Sequence, residues 1–123
     1  MKSALDGSGP IFLQIKESIE EDILYGRLGP DEQIPSNSQL VSFYNINPVT
    51  VLKGVNLLAE EGLIYKKRGM GMFVSPEAPG ILRKRFREAL ENGQLQALVR
   101  LAKILGLGRQ ELRDMIDKLW EEK

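Results

Sequence analysis

The stretch SFYNINPVTVLKGVNLLAEEGLIYKKRGMGMFV, residues 42–74, decides the fold. Asn47-Pro48 marks a helix start, because Asn caps orphan N–H groups and Pro fits the first helical position, where an N–H would lack a partner. Ile46 before the cap and Val51 at the fourth helical position form a hydrophobic staple. Val51, Val55 and Leu58 recur at helical spacing as a buried stripe, and Gly62 stops the helix. Val49, Thr50, Lys53 and Asn56 are left on the far face. Behind the helix, 63–67 and 72–74 are strand-like, and Arg68-Gly69-Met70-Gly71 joins them with two glycines that admit the positive φ angles of a tight hairpin. Lys66, Lys67 and Arg68 lead into its tip.

Working toward the N-terminus, Ser36 and Gln39 form a capping box that opens a helix over 38–44, expected to bury Leu40 and Phe43 before a turn at Asn45-Ile46. Gly29-Pro30 is a turn, with an extended segment expected between Leu28 and Ile34. Pro10 opens an earlier amphipathic helix that ends near Tyr25-Gly26. Phe12, Ile15, Ile19 and Ile23 form its apolar stripe, and Lys16, Glu17, Glu20 and Glu21 lie on the other face. The polar, Gly/Ser-bearing leader 1–9 is expected to be flexible.

Downstream, Pro76 and Pro79 are expected to end this unit and form a linker. Leu82, Phe86, Leu90, Ala97, Leu101 and Ile104 keep one 3.6-residue phase through Asn92-Gly93, which predicts one long helix, bent at most at Gly93. Gly106-Leu107-Gly108 breaks it, and a last helix carries Leu112, Met115, Ile116, Leu119 and Trp120. Phe86, Leu90, Leu101, Ile104, Leu112, Ile116, Leu119 and Trp120 are more large apolar side chains than two helices can hide within one chain, so a second copy is expected to cover them. The expected organisation is therefore a leader 1–9, a domain 10–75 and a two-helix dimerisation tail 76–123.

Composition narrows the functions. With 123 residues, 42% of them hydrophobic and 28% charged, the chain is one small globular domain with an appendage. It has no histidine and no cysteine, which removes the commonest general base and the commonest transition-metal ligands; no catalytic residue, metal site or cofactor is expected. The acidic runs Glu20-Glu21-Asp22, Glu60-Glu61 and Glu121-Glu122 are expected to be solvated helix faces. No apolar run approaches the roughly 20 residues of a membrane span and no secretory signal is evident, so a cytoplasmic location is expected. Net charge is zero; residues 1–75 hold seven Lys/Arg against nine Asp/Glu, and 76–123 hold ten against eight. DNA binding by the first part would rest on a local basic patch rather than a general positive field.

The order helix, helix-turn-helix, hairpin reads as a mainly α fold with a small β-hairpin: a winged helix-turn-helix domain followed by the helical tail. Such a unit lays its last helix in the DNA major groove and touches backbone or minor groove with the wing. Ser36, Ser38, Gln39, Asn47, Val49, Thr50, Lys53, Lys67, Arg68 and Gly69 are the candidate contacts to double-stranded DNA. Taken singly, Asn47 also reads as a cap only, Lys53 as a solvated charge, and the basic tip as protection of a strand edge.

GPIFLQIKESIEEDILYGRLGPDEQIPSNSQL, NINPVTV and LLAEEGLIYKKRGMGMFV together resemble the winged-helix domain of GntR-type bacterial transcription regulators, over about residues 10 to 75. The short tail resembles the YtrA subfamily, whose members dimerise through it and are often encoded with ABC-type transporters. The resemblance implies a homodimeric repressor acting on an inverted-repeat operator. It also implies Arg at Ser38, where it would contact DNA, Thr at Met72, Asn at Val49 and Ala-Tyr at Gly54-Val55; each departure bears on affinity or target rather than fold. Only 47 residues follow Pro76, enough for a dimer seam but not for an enclosed pocket of about 300 Å³ or more, so no small-molecule effector is assigned. Arg83-Lys84-Arg85 and Arg87 read as a solvated face or an anion contact. A protein-interaction module that has lost DNA affinity is the alternative function.

Overall fold

The structure, a computed structural model, describes residues 9–122. The leader expected to be flexible therefore lies outside the described residues, apart from Gly9. The chain falls into two compact units, the first ending at Lys84 and the second beginning at Arg85.

In the first unit α1 (Ile11–Leu24) packs on α3 (Pro48–Glu60), which also carries α2 (Asn37–Tyr44). Ile15, Ile19, Ile23, Leu40, Val51, Val55 and Leu58 meet in the core, as their spacing requires. Gly54 lets the two long helices approach closely. A Cβ built there would stand 2.7 Å from the Phe12 carbonyl oxygen, closer than real contacts allow. Replacing Gly with Ala in a helix interior ordinarily gains about 1 kcal/mol. Here the obstacle is backbone, and overpacking costs about 1 to 3 kcal/mol. We expect Gly54→Ala to lower stability by about 1 kcal/mol and Gly54→Val by about 3 kcal/mol, read from urea midpoints. A more stable Gly54→Ala variant would mean that α1 shifts without penalty.

The acidic residues of α1 depart from the solvated face expected of them: Glu20 and Asp22 are buried. The Lys16 ammonium sits 2.9 Å from both Glu20 and Glu61, and Arg27 pairs with Asp22 at 2.7 Å. Ion pairing is what permits the burial. Burial alone would lower the Lys16 pKa, but hydrogen bonds to Glu20 and Glu61, with their charges, outweigh it and raise the net value. The stabilisation from Lys16 is therefore present below the ordinary lysine pKa and lost only as pH rises through its still higher folded value.

Phe43 is likewise not in the core; it is 47% exposed. In an eight-residue helix only the line from Leu40 to Tyr44 faces inward. Tyr44 takes the inner place and its hydroxyl donates to Ser18 Oγ on α1 at 3.1 Å. Asn45 then turns the chain in the left-handed conformation, at φ 53°.

Strands β1 (Ile64–Lys67) and β2 (Gly71–Val74) form the antiparallel hairpin, with Ile64 opposite Val74 and Lys67 opposite Gly71. The extended segment expected before Ile34 does more than connect. Asp31 N donates to Val74 O, Val74 N to Glu32 O, and Ile34 N to Met72 O, at 2.8 to 2.9 Å, so this segment pairs with the free edge of β2. Pro76 and Pro79 do not form a linker. Pro79 sits in the first turn of α4 (Ala78–Ala89), where a missing N–H is harmless, and Ala78 and Leu82 are fully buried, which carries the first unit past residue 75 to Lys84.

The second unit holds the end of α4, a π-helical turn (Leu90–Gln94), α5 (Leu95–Ile104) and α6 (Arg109–Glu121). Helical backbone continues through Gly93, but Leu95 N–H bonds to Leu90 O, one residue wider than an α-turn. That extra residue rotates everything after it by about 100°, so the single phase expected from Leu82 to Ile104 is lost. Ala102, and not Leu101 or Ile104, is the buried position of α5.

Candidate nucleic-acid interface

Local chemistry places the candidate residues. Ser36 caps α2: its Oγ accepts from Gln39 N at 3.1 Å, while its own N–H donates to Gln39 Oε1 at 2.8 Å. Both side chains thus do structural service at this helix start, and Ser38, in the first turn, is exposed beside them. Asn47 Oδ1 accepts from Val49 N at 2.8 Å, with Pro48 at the first helical position. That cap leaves Val49 71% exposed, Lys53 exposed and Thr50 half-buried along the start of α3. At the wing, Gly69 has φ 76° and Gly71 φ 118°, values that favour glycine, and Met70 N closes the turn on Lys67 O at 2.9 Å. Arg68 is exposed at the tip, and the Lys67 ammonium lies 4.5 Å from the Phe73 ring centre.

Two supporting side chains escape a reading of the sequence. Gln33 Nε2 donates to Met70 O at 2.7 Å and runs across Gly71, where a Cβ would meet it at 2.7 Å. It ties the wing turn to the body. Phe12 of α1 lies under Lys53, with the ammonium 4.0 Å from its ring centre, a contact made possible by the close approach at Gly54. Between α3 and the wing runs an open groove of about 670 Å³, lined by Pro35, Ser38, Leu52, Asn56, Tyr65 and Met72 among others.

The acids of the first part, whose net charge is −2, are unevenly spread along the chain. No Asp or Glu occurs from residue 33 to 59 or from 62 to 76, which spans α2, nearly all of α3 and the whole wing. The buried acids pair with Lys16 and Arg27, Asp31 accepts from the Tyr65 hydroxyl on β1 at 2.7 Å, and Glu60 and Glu61 lie at the far end of α3, Glu61 about 18 Å along the helix axis from Val49. This void was legible in the sequence at the scale of single elements. Counting charge over 75 residues hid it.

Among the described residues no three or more Asp or Glu side chains are grouped so as to hold a metal ion, and no helix is long and apolar enough to cross a membrane.

Helix, helix-turn-helix and hairpin in this arrangement define a winged helix-turn-helix protein, the class of fold to which many DNA-binding domains belong. The model of the gntR family of bacterial regulatory proteins matches residues 12–74, and the chain belongs to that family, with YtrA-like character. The HTH-type transcriptional repressor YtrA of Bacillus subtilis is 30% identical over 112 residues, covering 91% of this chain and 85% of that protein. A transcriptional regulator of the GntR family from Bacteroides thetaiotaomicron superposes with TM-score 0.71 at 28% identity, covering 90% of this chain and 96% of that one. The DNA-binding domain of AraR, in complex with operator ORX1, superposes with TM-score 0.53 at 30% identity over 58% of this chain and 94% of that one. Other relatives are longer: the chain spans 28% and 27% of the length of two Bacillus subtilis regulators that it matches over 67 and 66 residues.

Proposed function

We propose that this protein is a homodimeric repressor that binds double-stranded DNA at an inverted-repeat operator. The observation that carries the reading is that the capped start of α3, the first turn of α2 and the basic wing tip all belong to one compact unit and to stretches of chain without Asp or Glu. The start of α3 enters the major groove, where Val49, Thr50 and Lys53 meet base edges and Asn47 holds the helix end. Ser36, Ser38 and Gln39 approach phosphate at the N-terminus of α2. Lys67 and Arg68, on the turn that Gly69 makes possible, contact the backbone or minor groove. Support comes from the DNA-binding domain of AraR, which is similar to 58% of this chain and was solved in complex with operator ORX1.

Dimerisation is assigned to the tail. No residue of α6 is buried, yet Leu112, Met115, Ile116, Leu119 and Trp120 fall on one helical strip, with Trp120 85% exposed. Leu90, Leu101 and Ile104 are exposed as well, and Phe86 is half-buried. A second copy with the same strips supplies the cover. A two-fold dimer then presents two equivalent α3 helices, which demands two inverted half-sites with centres about 34 Å, or a multiple, apart. The transporter operon implied by the YtrA resemblance is the first place to look for the operator.

Genome-wide recovery of bound DNA, followed by titration of the recovered duplex at two salt concentrations, tests the proposal. The expected result is an inverted repeat whose affinity falls steeply with salt, as phosphate contacts release counterions. Recovery of single unsymmetrical half-sites would remove the dimeric arrangement. Absence of any salt-dependent binding would favour an interaction module instead.

A further inference from the structure

We propose that Val49 reads a thymine methyl group in each half-site, an inference that rests on the placement of α3 in the major groove proposed above. Val49 is the second residue of α3, its N–H is taken by the Asn47 cap, and its side chain is 71% exposed. The isopropyl group is therefore all that this position offers to a partner. Folding supplies no reason for it, since a β-branched residue is a poorer helix former than Ala, Leu or Lys and an open face rewards polarity. Leu52, one turn further on, is also 45% exposed, and the two share a shallow groove of about 410 Å³ with Lys53, Asn56 and Leu57, closed at its far end by Glu60. The start of this helix thus presents an apolar spot beside a cation and an amide.

An isopropyl group neither donates nor accepts a hydrogen bond, so it matches no phosphate oxygen and no polar base edge. In the major groove the complementary apolar feature is the C5 methyl of thymine. The N-terminal residues of a recognition helix are the ones that reach base edges, and Val49 stands among them. Val49 excludes as well as attracts: a cytosine amino group pressed against it would lose its water without gaining a partner.

The test uses the full chain and an operator selected from random duplexes. Each thymine in turn is replaced by deoxyuridine, which removes the methyl group and keeps the base pair and its O4 acceptor. Titrations are made at low salt, where phosphate contacts keep every variant bound. One thymine per half-site is expected at which the replacement weakens wild-type binding about fourfold, the effect of returning one methyl to water. Val49→Ile should keep that sensitivity. Val49→Ser should lose it at that thymine alone, with helicity unchanged by circular dichroism. The inference is overturned if no thymine is sensitive, or if Val49→Ser is as sensitive as the wild type, which would assign the methyl contact to another residue. Failure to select any preferred duplex would remove the underlying reading of α3, and this inference with it.

Discussion

Placing Asp at both Ile116 and Leu119 is expected to convert the protein from dimer to monomer at micromolar concentration and to weaken operator binding by a hundredfold or more. Both side chains lie on the exposed apolar strip of α6, one turn apart, and burying each in a dimer contributes about 1.5 to 3 kcal/mol. A buried unpaired carboxylate reverses that sign and adds a desolvation penalty. The loss of DNA affinity follows from the loss of linkage rather than from any DNA contact. Two joined winged helices bind the second half-site at an effective concentration near millimolar, an advantage of about 10² to 10⁴ that separate monomers forfeit. The helix itself should survive, because its start is held locally by Gly108 N–H donating to Glu111 Oε1 at 3.0 Å. Sedimentation, circular dichroism and titration against the same duplex separate these effects. A variant that remains dimeric, with α6 intact, would show that this strip is not the seam.

What the sequence reveals of this fold depends on how local the deciding force is. The Ser36–Gln39 capping box, the Asn47-Pro48 start of α3 and the Gly69/Gly71 turn all rest on contacts within a few residues, and each appears at the position read from the chain. Burial of Glu20 and Asp22 was not legible, because that of Glu20 depends on Lys16 bridging to Glu61, 45 residues further along the chain, and that of Asp22 on Arg27 beyond the helix end. Phe43 and Tyr44 compete for one inward place, and Ser18 on another helix settles it in favour of Tyr44. The pairing of 31–34 with β2 is a long-range choice that no spacing announces. In the tail, one π-turn bond at Leu90 undid a phase that was sound on either side of it. At the candidate interface the caps and the wing glycines were legible, whereas Phe12 beneath Lys53 and Gln33 behind the wing are tertiary neighbours.

Replacing Lys67 and Arg68 together with Ala is expected to abolish detectable operator binding at physiological salt while leaving the fold intact. Arg68 is exposed, and the Lys67 ammonium lies near the Phe73 ring at the surface, so only modest packing is lost. The turn between them does not depend on either side chain: Gly69 and Gly71 provide its φ angles and Gln33 anchors it through Met70 O. Their contribution to binding is therefore expected to be electrostatic, two cations per proposed half-site in a unit whose α3 and wing otherwise carry Lys53 and Lys66. Because Ser38 brings no cation to the start of α2, little remains to compensate. Each lost phosphate contact should flatten the dependence of log K on log salt by about one unit, hence about two per half-site, and should weaken operator and scrambled duplexes alike. Lys53→Ala should behave differently, shifting which operator variants are preferred, since the proposed placement of α3 in the major groove brings Lys53, whose ammonium rests over Phe12, toward base edges. Titration of both variants against matched and scrambled duplexes at two salt concentrations distinguishes the roles. If the wing variant loses only its preference among duplexes and keeps the wild-type salt slope, the wing reads sequence and the assignment of affinity to Lys67 and Arg68 is wrong.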